Sequence, residues 1–322
     1  MLRGVVSFTK FRLPIALGFV AIAITIAILT PEPDRSLRSA QCFHDFLHIP
    51  GFAAVAAALF WAFPNRRGSP RKRKLRRLLL LSAIAIGLGV FVELMQQALG
   101  GVADPVDVMH DVAGVTASLL VAISLWSTMR TTARVALRVG ALVVSLGFLP
   151  PTLLAWGEEQ RAKRAFPILA DFRDARELER FEWRDAVPSA IGGDSESDGL
   201  PEPGLSLLLL AAQYPGFTLR YFPRDWSAYA RLVIECDDPD AFPLDVSVRI
   251  DDMAHDESFG DRYNKNFTLQ PGRNSIEIPL DDVARAPRTR RLDLSKVRTV
   301  IVFAHDLQSP RKLTLRSIRL SE

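Results

Sequence analysis

Apolar residues are distributed unevenly along the chain. The first half gathers them into long runs, and the second spreads them over short stretches where they alternate with polar residues. Five apolar segments, at roughly 13–30, 48–63, 78–99, 110–127 and 137–156, reach or approach the about 20 residues needed to cross bilayer hydrocarbon. The second and fourth are short and open on polar residues; the third and fifth are long. Segment 13–30 exceeds the about 7–15 apolar residues of a signal-peptide core. Thr30-Pro-Glu-Pro33 after it is a poor cleavage site, so an uncleaved helix is expected.

Beyond Trp156 the charged stretch Glu158–Arg164 reads as a short linker helix over 158–165. The pattern then changes to a period of two, clearest in Leu244-Asp-Val-Ser-Val-Arg-Ile250 and Leu313-Thr-Leu-Arg-Ser-Ile-Arg-Leu320. Strands are expected at 181–184, 205–211, 217–222, 230–236, 244–250, 266–269, 275–278, 299–304 and 312–320. Many short strands between turn signals predict an all-β sandwich over 166–322. Pro271-Gly-Arg-Asn274 predicts a hairpin-type turn and the Gly/Ser/Asp-rich 192–200 stretch a loop. The fold class is thus an α-helical polytopic membrane domain of about five transmembrane helices (1–157), followed by a β-sandwich.

Charge sharpens this division. Residues 1–157 hold 16 Lys+Arg against 7 Asp+Glu, and the remainder 24 against 29. The basic pI of 9.3 therefore comes from the apolar half, chiefly from the 66–77 block between two spans. That placement marks a cytoplasmic loop touching anionic lipid and gives no support to nucleic-acid binding. Counting Lys and Arg by loop puts the amino terminus and the 64–77 and 128–138 loops in the cytoplasm. The 31–47 and 100–109 loops and the sandwich then lie outside a bacterial cytoplasmic membrane. Cys42 and Cys236 fall in different domains and are expected as unlinked thiols.

Against this background, the polar residues beside the apolar runs stand out. His44, Asp45 and His48 are three and four apart, so a helix stacks them on one side. Glu93 and Gln96 share a face, as do Asp107, His110 and Asp111. The topology brings all of them to one membrane level. An Asp at a helix centre costs about 2.5–3.5 kcal/mol, so Glu93 should face a cavity or partners on other helices. Gly87, Gly89, Gly114 and the Ala53–Ala58 small-residue run would let those helices approach closely. Asp104 and Asp107 could instead be helix caps. With no strict motif such as HExxH, a hydrogen-bonded acid/base or head-group-binding cluster is favoured over a metal site. The candidate catalytic set is Glu93, His48, Asp45, Asp107, Asp111, Gln96 and His110. No phosphate loop or cofactor fingerprint names a cofactor.

Asp45-Phe-Leu-His48, Glu93-Leu-Met-Gln96 and Asp104-Pro-Val-Asp107-Val-Met-His-Asp111-Val-Ala-Gly114 resemble, in order and spacing, the D-x-x-H, E-x-x-Q and D-x-x-x-N-x-x-G motifs of the VanZ-like family over about residues 10–127. Gly101 stands where that family often has Arg, and Asp111 where it usually has Asn. The resemblance implies a small multi-helix membrane domain at the cell surface, in a family associated with glycopeptide-antibiotic resistance.

The second half resembles galactose-binding-like jelly-roll domains of carbohydrate-binding modules. The likeness rests on Arg224-Asp-Trp-Ser-Ala-Tyr229, Val248-Arg-Ile-Asp-Asp252, Gly272–Leu280 and Leu315–Leu320. Sugar binding needs aromatic faces and planar polar groups. Trp226, Arg262, Tyr263, His255 and Asp252 are the candidate ligand-binding residues, although Trp226 and Tyr229 are more often packing residues where a loop enters a strand, which makes the 251–264 loop the better candidate. The acid-rich 251–264 loop could also hold a structural Ca²⁺, and the 285–291 basic stretch reads as solvated surface.

Three functions remain open on sequence. One is a membrane anchor presenting a glycan-binding domain to envelope glycan. Another is an enzyme acting on a lipid-linked precursor or envelope glycan, with Glu93 as acid/base. The third is a structural or transport protein whose polar cluster locks helices. The expected partners are membrane lipid and an envelope glycan or lipid-linked precursor, with no nucleic acid.

Overall fold

A computed structural model describes residues 12–22, 37–64, 68–99, 104–191 and 204–322. Part of the first apolar segment (23–30), the Thr30–Pro33 stretch, Arg66 and Arg67 of the basic block, Gly101 and the 192–200 loop lie outside those residues. The chain forms two compact units, Met1–Ala155 and Trp156–Glu322.

The first unit is helical: α1 (Arg12–Ile22), α2 (Arg38–Ala62), α3 (Arg71–Ala98), α4 (Pro105–Ser124), α5 (Thr131–Leu146) and α6 (Pro150–Ala165), the last running into the second unit. α2, α3, α4 and the α5–α6 stretch are each long and apolar enough to cross a membrane. Two helices start earlier than hydropathy indicates. α2 begins at Arg38, ahead of the apolar run at 48, and carries His44, Asp45 and His48 within its first three turns. α3 begins at Arg71, so Arg71–Arg77 is helix instead of loop. The expected fifth span breaks after Leu146, just before Pro150-Pro151, where a proline restricts the residue preceding it.

α4 packs against α2, α3 and α5. Phe52, Val55, Ala56 and Leu59 of α2 meet Leu81 and Ala85 of α3 and Val115 of α4 in a small apolar core. Their spacing on α2 is that of one helical face. Leu80, Ile84, Phe91, Leu94, Val139, Leu142 and Val143 point outward and exposed, as side chains facing lipid would. Of the glycines, Gly114 lets α4 close on α2: an added β-carbon would meet the Ile49 carbonyl oxygen at 2.2 Å. Gly87 has open space around it and has no such role.

The second unit is an antiparallel β-sandwich of jelly-roll type. One sheet runs β3 (Ala186–Ile191), β4 (Leu205–Leu209), β11 (Arg311–Ser321), β6 (Arg231–Asp238), β9 (Gly272–Pro279), with β1 (Ile168–Ala170) also pairing β11. The other runs β2 (Phe181–Arg184), β5 (Gly216–Leu219), β10 (Val297–Ala304), β7 (Leu244–Asp252), β8 (Tyr263–Leu269). All nine strands expected from alternation form. β1 is too short to show a period. β3 carries Pro188, which an edge strand tolerates because one side of it needs no ladder donor. A one-and-a-half-turn helix, α7 (Leu280–Arg285), was also not legible.

The Pro271–Asn274 turn differs from expectation. It joins β8 and β9, which lie in different sheets, so it is a crossover and not a hairpin. Asn274 closes it by accepting from the Gln270 N–H at 2.8 Å and donating back to the Gln270 carbonyl at 2.7 Å. Gly272 supplies the positive φ of 90°. Between the sheets lies the core, in which Leu205, Leu207, Leu232, Ile234, Ile278 and Ile318 meet Leu219, Val248, Ile250, Val300 and Trp226. Cys42 and Cys236 are not joined in a disulfide.

Candidate functional site

In the helical unit, α2, α3 and α4 bring four of the seven candidate residues together. His48 Nδ1 is 3.0 Å from Asp111 Oδ1. The carboxylate can only accept, so Nδ1 carries the proton and Nε2 offers its lone pair. Nε2 is 3.7 Å from Asp107 Oδ2. Glu93 is buried and accepts from the Asp104 N–H through Oε2 at 2.9 Å. His48, Glu93 and Asp107 each offer an atom lying within 4.8 Å of the other two. Three oxygens here, Glu93 Oε1, Asp107 Oδ1 and Asp111 Oδ2, are buried without a hydrogen-bond partner. Gly89 makes the room: an added β-carbon would stand 2.2 Å from Asp111 Oδ2.

The other three candidates lie around this centre. Asp45 approaches His44, at 3.8 Å, and not His48. His110 is buried and meets the Phe148 ring edge-on at 4.9 Å. Gln96 is half-buried one turn after Glu93. The cap of α4 is Asp104, whose carboxylate accepts from the Val106 N–H at 2.8 Å. Asp107 does not cap and is free to face His48.

In the sandwich, the structure redistributes the candidate residues. Trp226 is fully buried; its Nε1 donates to the Pro223 carbonyl at 3.0 Å and its ring packs on Phe222, so neither face can meet a sugar. Asp252 is likewise enclosed, gripped by both Arg290 terminal nitrogens at 2.6 Å and by the Asp293 N–H at 2.7 Å. Arg290 also binds Asp261, at 2.5 Å. The 285–291 stretch is therefore not plain solvated surface, because Arg290 supplies the positive charge that Asp252 and Asp261 of the acid-rich loop take up. Burial raises the cost of ionising Asp252, but Arg290 and the backbone donor outweigh it and hold the carboxyl below its ordinary range. Asp261 is pulled well down, first by Arg290. His255 is buried too. Its Nε2 accepts from Arg249 at 3.1 Å, so its Nδ1 donates to the Asp261 carbonyl at 2.9 Å. These residues brace the loop.

Arg262 and Tyr263 fare differently. Arg262 stacks over the exposed Phe259 ring at 4.9 Å, and this pair stands between two cavities. Burial, then the neighbouring Arg249, lowers the Arg262 pKa from its ordinary value. Tyr263 and Lys265 line the smaller cavity, about 320 Å³; burial pushes the Tyr263 phenol up to about 12.

The larger cavity, about 430 Å³, lies on the outer face of the five-stranded sheet. Pairing fixes that face. Ile301 is opposite both Thr218 and Arg249, Arg249 is opposite Asn264, and Phe303 is opposite Gly216. Tyr214, Phe303 and His305 form an edge-to-face aromatic set with centroids 5.1–5.9 Å apart. His305 Nε2 and Ser247 Oγ are 2.6 Å apart, and Ser247 donates to Asn266. Gly216 is required here, since an added β-carbon would meet the Val302 carbonyl oxygen at 2.0 Å. Tyr214, Phe303, His305, Arg184 and Arg249 were not singled out from sequence. The available signal was an aromatic at an outward position of β10, where alternation calls for a polar residue. Three arginines, Arg184, Arg249 and Arg262, line this cavity and no carboxylate does. Arg184 and Arg262 make no ion pair among the described residues.

No protein-family model and no curated protein matches the chain. Solved structures similar to it include an exo-β-agarase, at 16% identity and a TM-score of 0.40 over 48% of this chain and 25% of that one. A family 11 carbohydrate-binding module from Clostridium thermocellum in complex with a β-1,3-1,4-mixed-linked tetrasaccharide is also similar, at 16% identity and a TM-score of 0.35 over 48% of this chain and 94% of that one. The chain thus spans about a quarter of the agarase's length.

Proposed function

We propose that this is a VanZ-like, multi-pass protein of the bacterial cytoplasmic membrane, with a cytoplasmic amino terminus, whose extracytoplasmic sandwich binds an envelope glycan in the cavity of about 430 Å³ on its five-stranded sheet. That cavity carries the reading. Its volume falls in the range of about 300–1,000 Å³ for small-ligand sites. Tyr214 and Phe303 offer ring surface to sugar C–H faces, while Arg184, Arg262, Asn264 and Thr218 offer groups that bond hydroxyls. Guanidinium groups without a lining carboxylate favour a glycan bearing carboxylate or phosphate. The helical unit would hold this surface at the membrane, in contact with lipid and near lipid-linked precursors. There it would take part in cell-wall glycan metabolism or the response to glycopeptide antibiotics.

The test is binding of the full-length protein in nanodiscs to arrays of acidic and neutral envelope glycans and peptidoglycan fragments. Wild type should bind acidic glycans, and Tyr214→Ala with Phe303→Ala should weaken binding about tenfold or more. Failure of the folded wild type to bind any of them would end this reading. A second reading, an enzyme acting on a lipid-linked or envelope glycan, draws support from the His48–Asp111 pair beside buried Glu93. Loss of precursor turnover by membranes containing Glu93→Gln, with glycan binding intact, would favour it.

A further inference from the structure

We propose that the helical unit binds a divalent metal ion, Zn²⁺ by its donor set, through His48 Nε2 and one carboxylate oxygen each from Glu93 and Asp107. This goes beyond the glycan reading and does not rest on it.

The three donors come from α2, α3 and α4, one from each, and their ligand atoms lie within 4.8 Å of one another. His48 is already held in the tautomer a metal needs. Asp111 accepts the Nδ1–H at 3.0 Å, which leaves the Nε2 lone pair, 3.7 Å from Asp107 Oδ2, available to an ion. A carboxylate behind a ligating imidazole is the usual arrangement at metal centres, where it fixes ring orientation and raises ligand basicity. The 3.7 Å between Nε2 and Asp107 Oδ2 is too long for a hydrogen bond but suits two ligands sharing one ion.

A second observation is independent of this spacing. Glu93 and Asp111 are more than nine-tenths buried, yet Glu93 Oε1 and Asp111 Oδ2 have no hydrogen-bond partner, and neither does buried Asp107 Oδ1. Among the described residues no Lys or Arg pairs with any of these carboxylates. Three acids at membrane depth with one imidazole among them are costly unless a cation joins them. A nitrogen and two oxygens suit Zn²⁺ above the harder ions Mg²⁺ and Ca²⁺. Three protein ligands leave one position open to water or an anionic oxygen, and His48 and Asp107 keep 10% and 15% of their side chains accessible.

The other such group, His255, Asp256 and Asp261, is different. Arg290 already supplies the positive charge to Asp261, and Arg249 occupies His255 Nε2.

The test uses the full-length protein in detergent, stripped with chelator, re-loaded with Zn²⁺ or Co²⁺ and dialysed. Metal content is read by mass spectrometry beside size-exclusion profile and thermal unfolding. Wild type should retain about one ion per chain. Its Co²⁺ form should show visible d–d bands without a thiolate charge-transfer band, and Zn²⁺ should displace the Co²⁺. Glu93→Gln and Asp107→Asn should lose the ion. Asp111→Asn should keep the stoichiometry but weaken the metal Kd about 10–100-fold. His255→Gln should change nothing. Folded wild type that retains no metal overturns the proposal, as does metal lost in His255→Gln and kept in Glu93→Gln. If the ligand variants do not fold, the wild-type Co²⁺ spectrum and the Asp111→Asn titration still decide it.

Discussion

Asp111 occupies the space that a side chain at Gly89 would fill: a β-carbon there would stand 2.2 Å from Asp111 Oδ2 and 3.2 Å from the Phe52 ring. The glycine of α3 is what allows the carboxylate of α4 to reach His48 on α2.

Gly89→Ala and Gly114→Ala should therefore differ. The first meets the end of a side chain, which can swing away at the cost of the His48 hydrogen bond. The second meets the Ile49 carbonyl at 2.2 Å and must push α2 from α4. We expect Gly114→Ala to lose about 1–3 kcal/mol, and Gly89→Ala less. Thermal unfolding of the purified protein in detergent reads the order; equal losses would contradict it.

Trp226 gives a test of core against binding surface. Trp226→Ala should cost about 3–5 kcal/mol, the usual result of emptying a large aromatic site. The fraction that remains folded should bind glycan as wild type does. Glycan binding abolished in a stably folded Trp226→Phe protein would instead make the indole part of the binding surface.

Arg290 links loop order to pH. The folded-state pKa values of Asp252 and Asp261 are depressed. Their contribution to stability is present above the ordinary Asp value of about 3.9 and drains away as pH falls below it towards the folded-state values. Arg290→Met should remove about 2–3 kcal/mol at neutral pH by leaving enclosed Asp252 without its cation. It should also flatten the acid limb of the stability curve. Urea denaturation of the full chain between pH 2 and pH 7 checks both; an unchanged acid limb would show that the pair does not set it.

Cys236 should be chemically silent in the folded protein. Burial, with help from Asp237 and Asp238, pushes its thiol up to about 12, and the thiolate is the reactive form. In a Cys42→Ser background, alkylation at pH 8 should be slow without denaturant and fast in urea. Fast labelling of the native protein would mean that β6 opens readily.

The sequence by itself determined the division into apolar helices and alternating strands. The helices follow from apolar runs near the about 20 residues that cross a bilayer, and the strands from a period of two that records burial on one face. It also pointed to seven polar residues at one membrane level, because a carboxylate among apolar residues has few places to go; helix packing gathered His48, Glu93, Asp107 and Asp111 and left Asp45, Gln96 and His110 around them. Tertiary structure decided what depends on distant partners. Nothing local says that Arg290 would reach back to Asp252 or that the 271–274 turn would change sheets. The outer face of the five-stranded sheet also arises from register alone, since Tyr214, Arg249, Arg262 and Phe303 are far apart along the chain. Periodicity tells which way a side chain points; only strand pairing and helix crossing tell what it meets there.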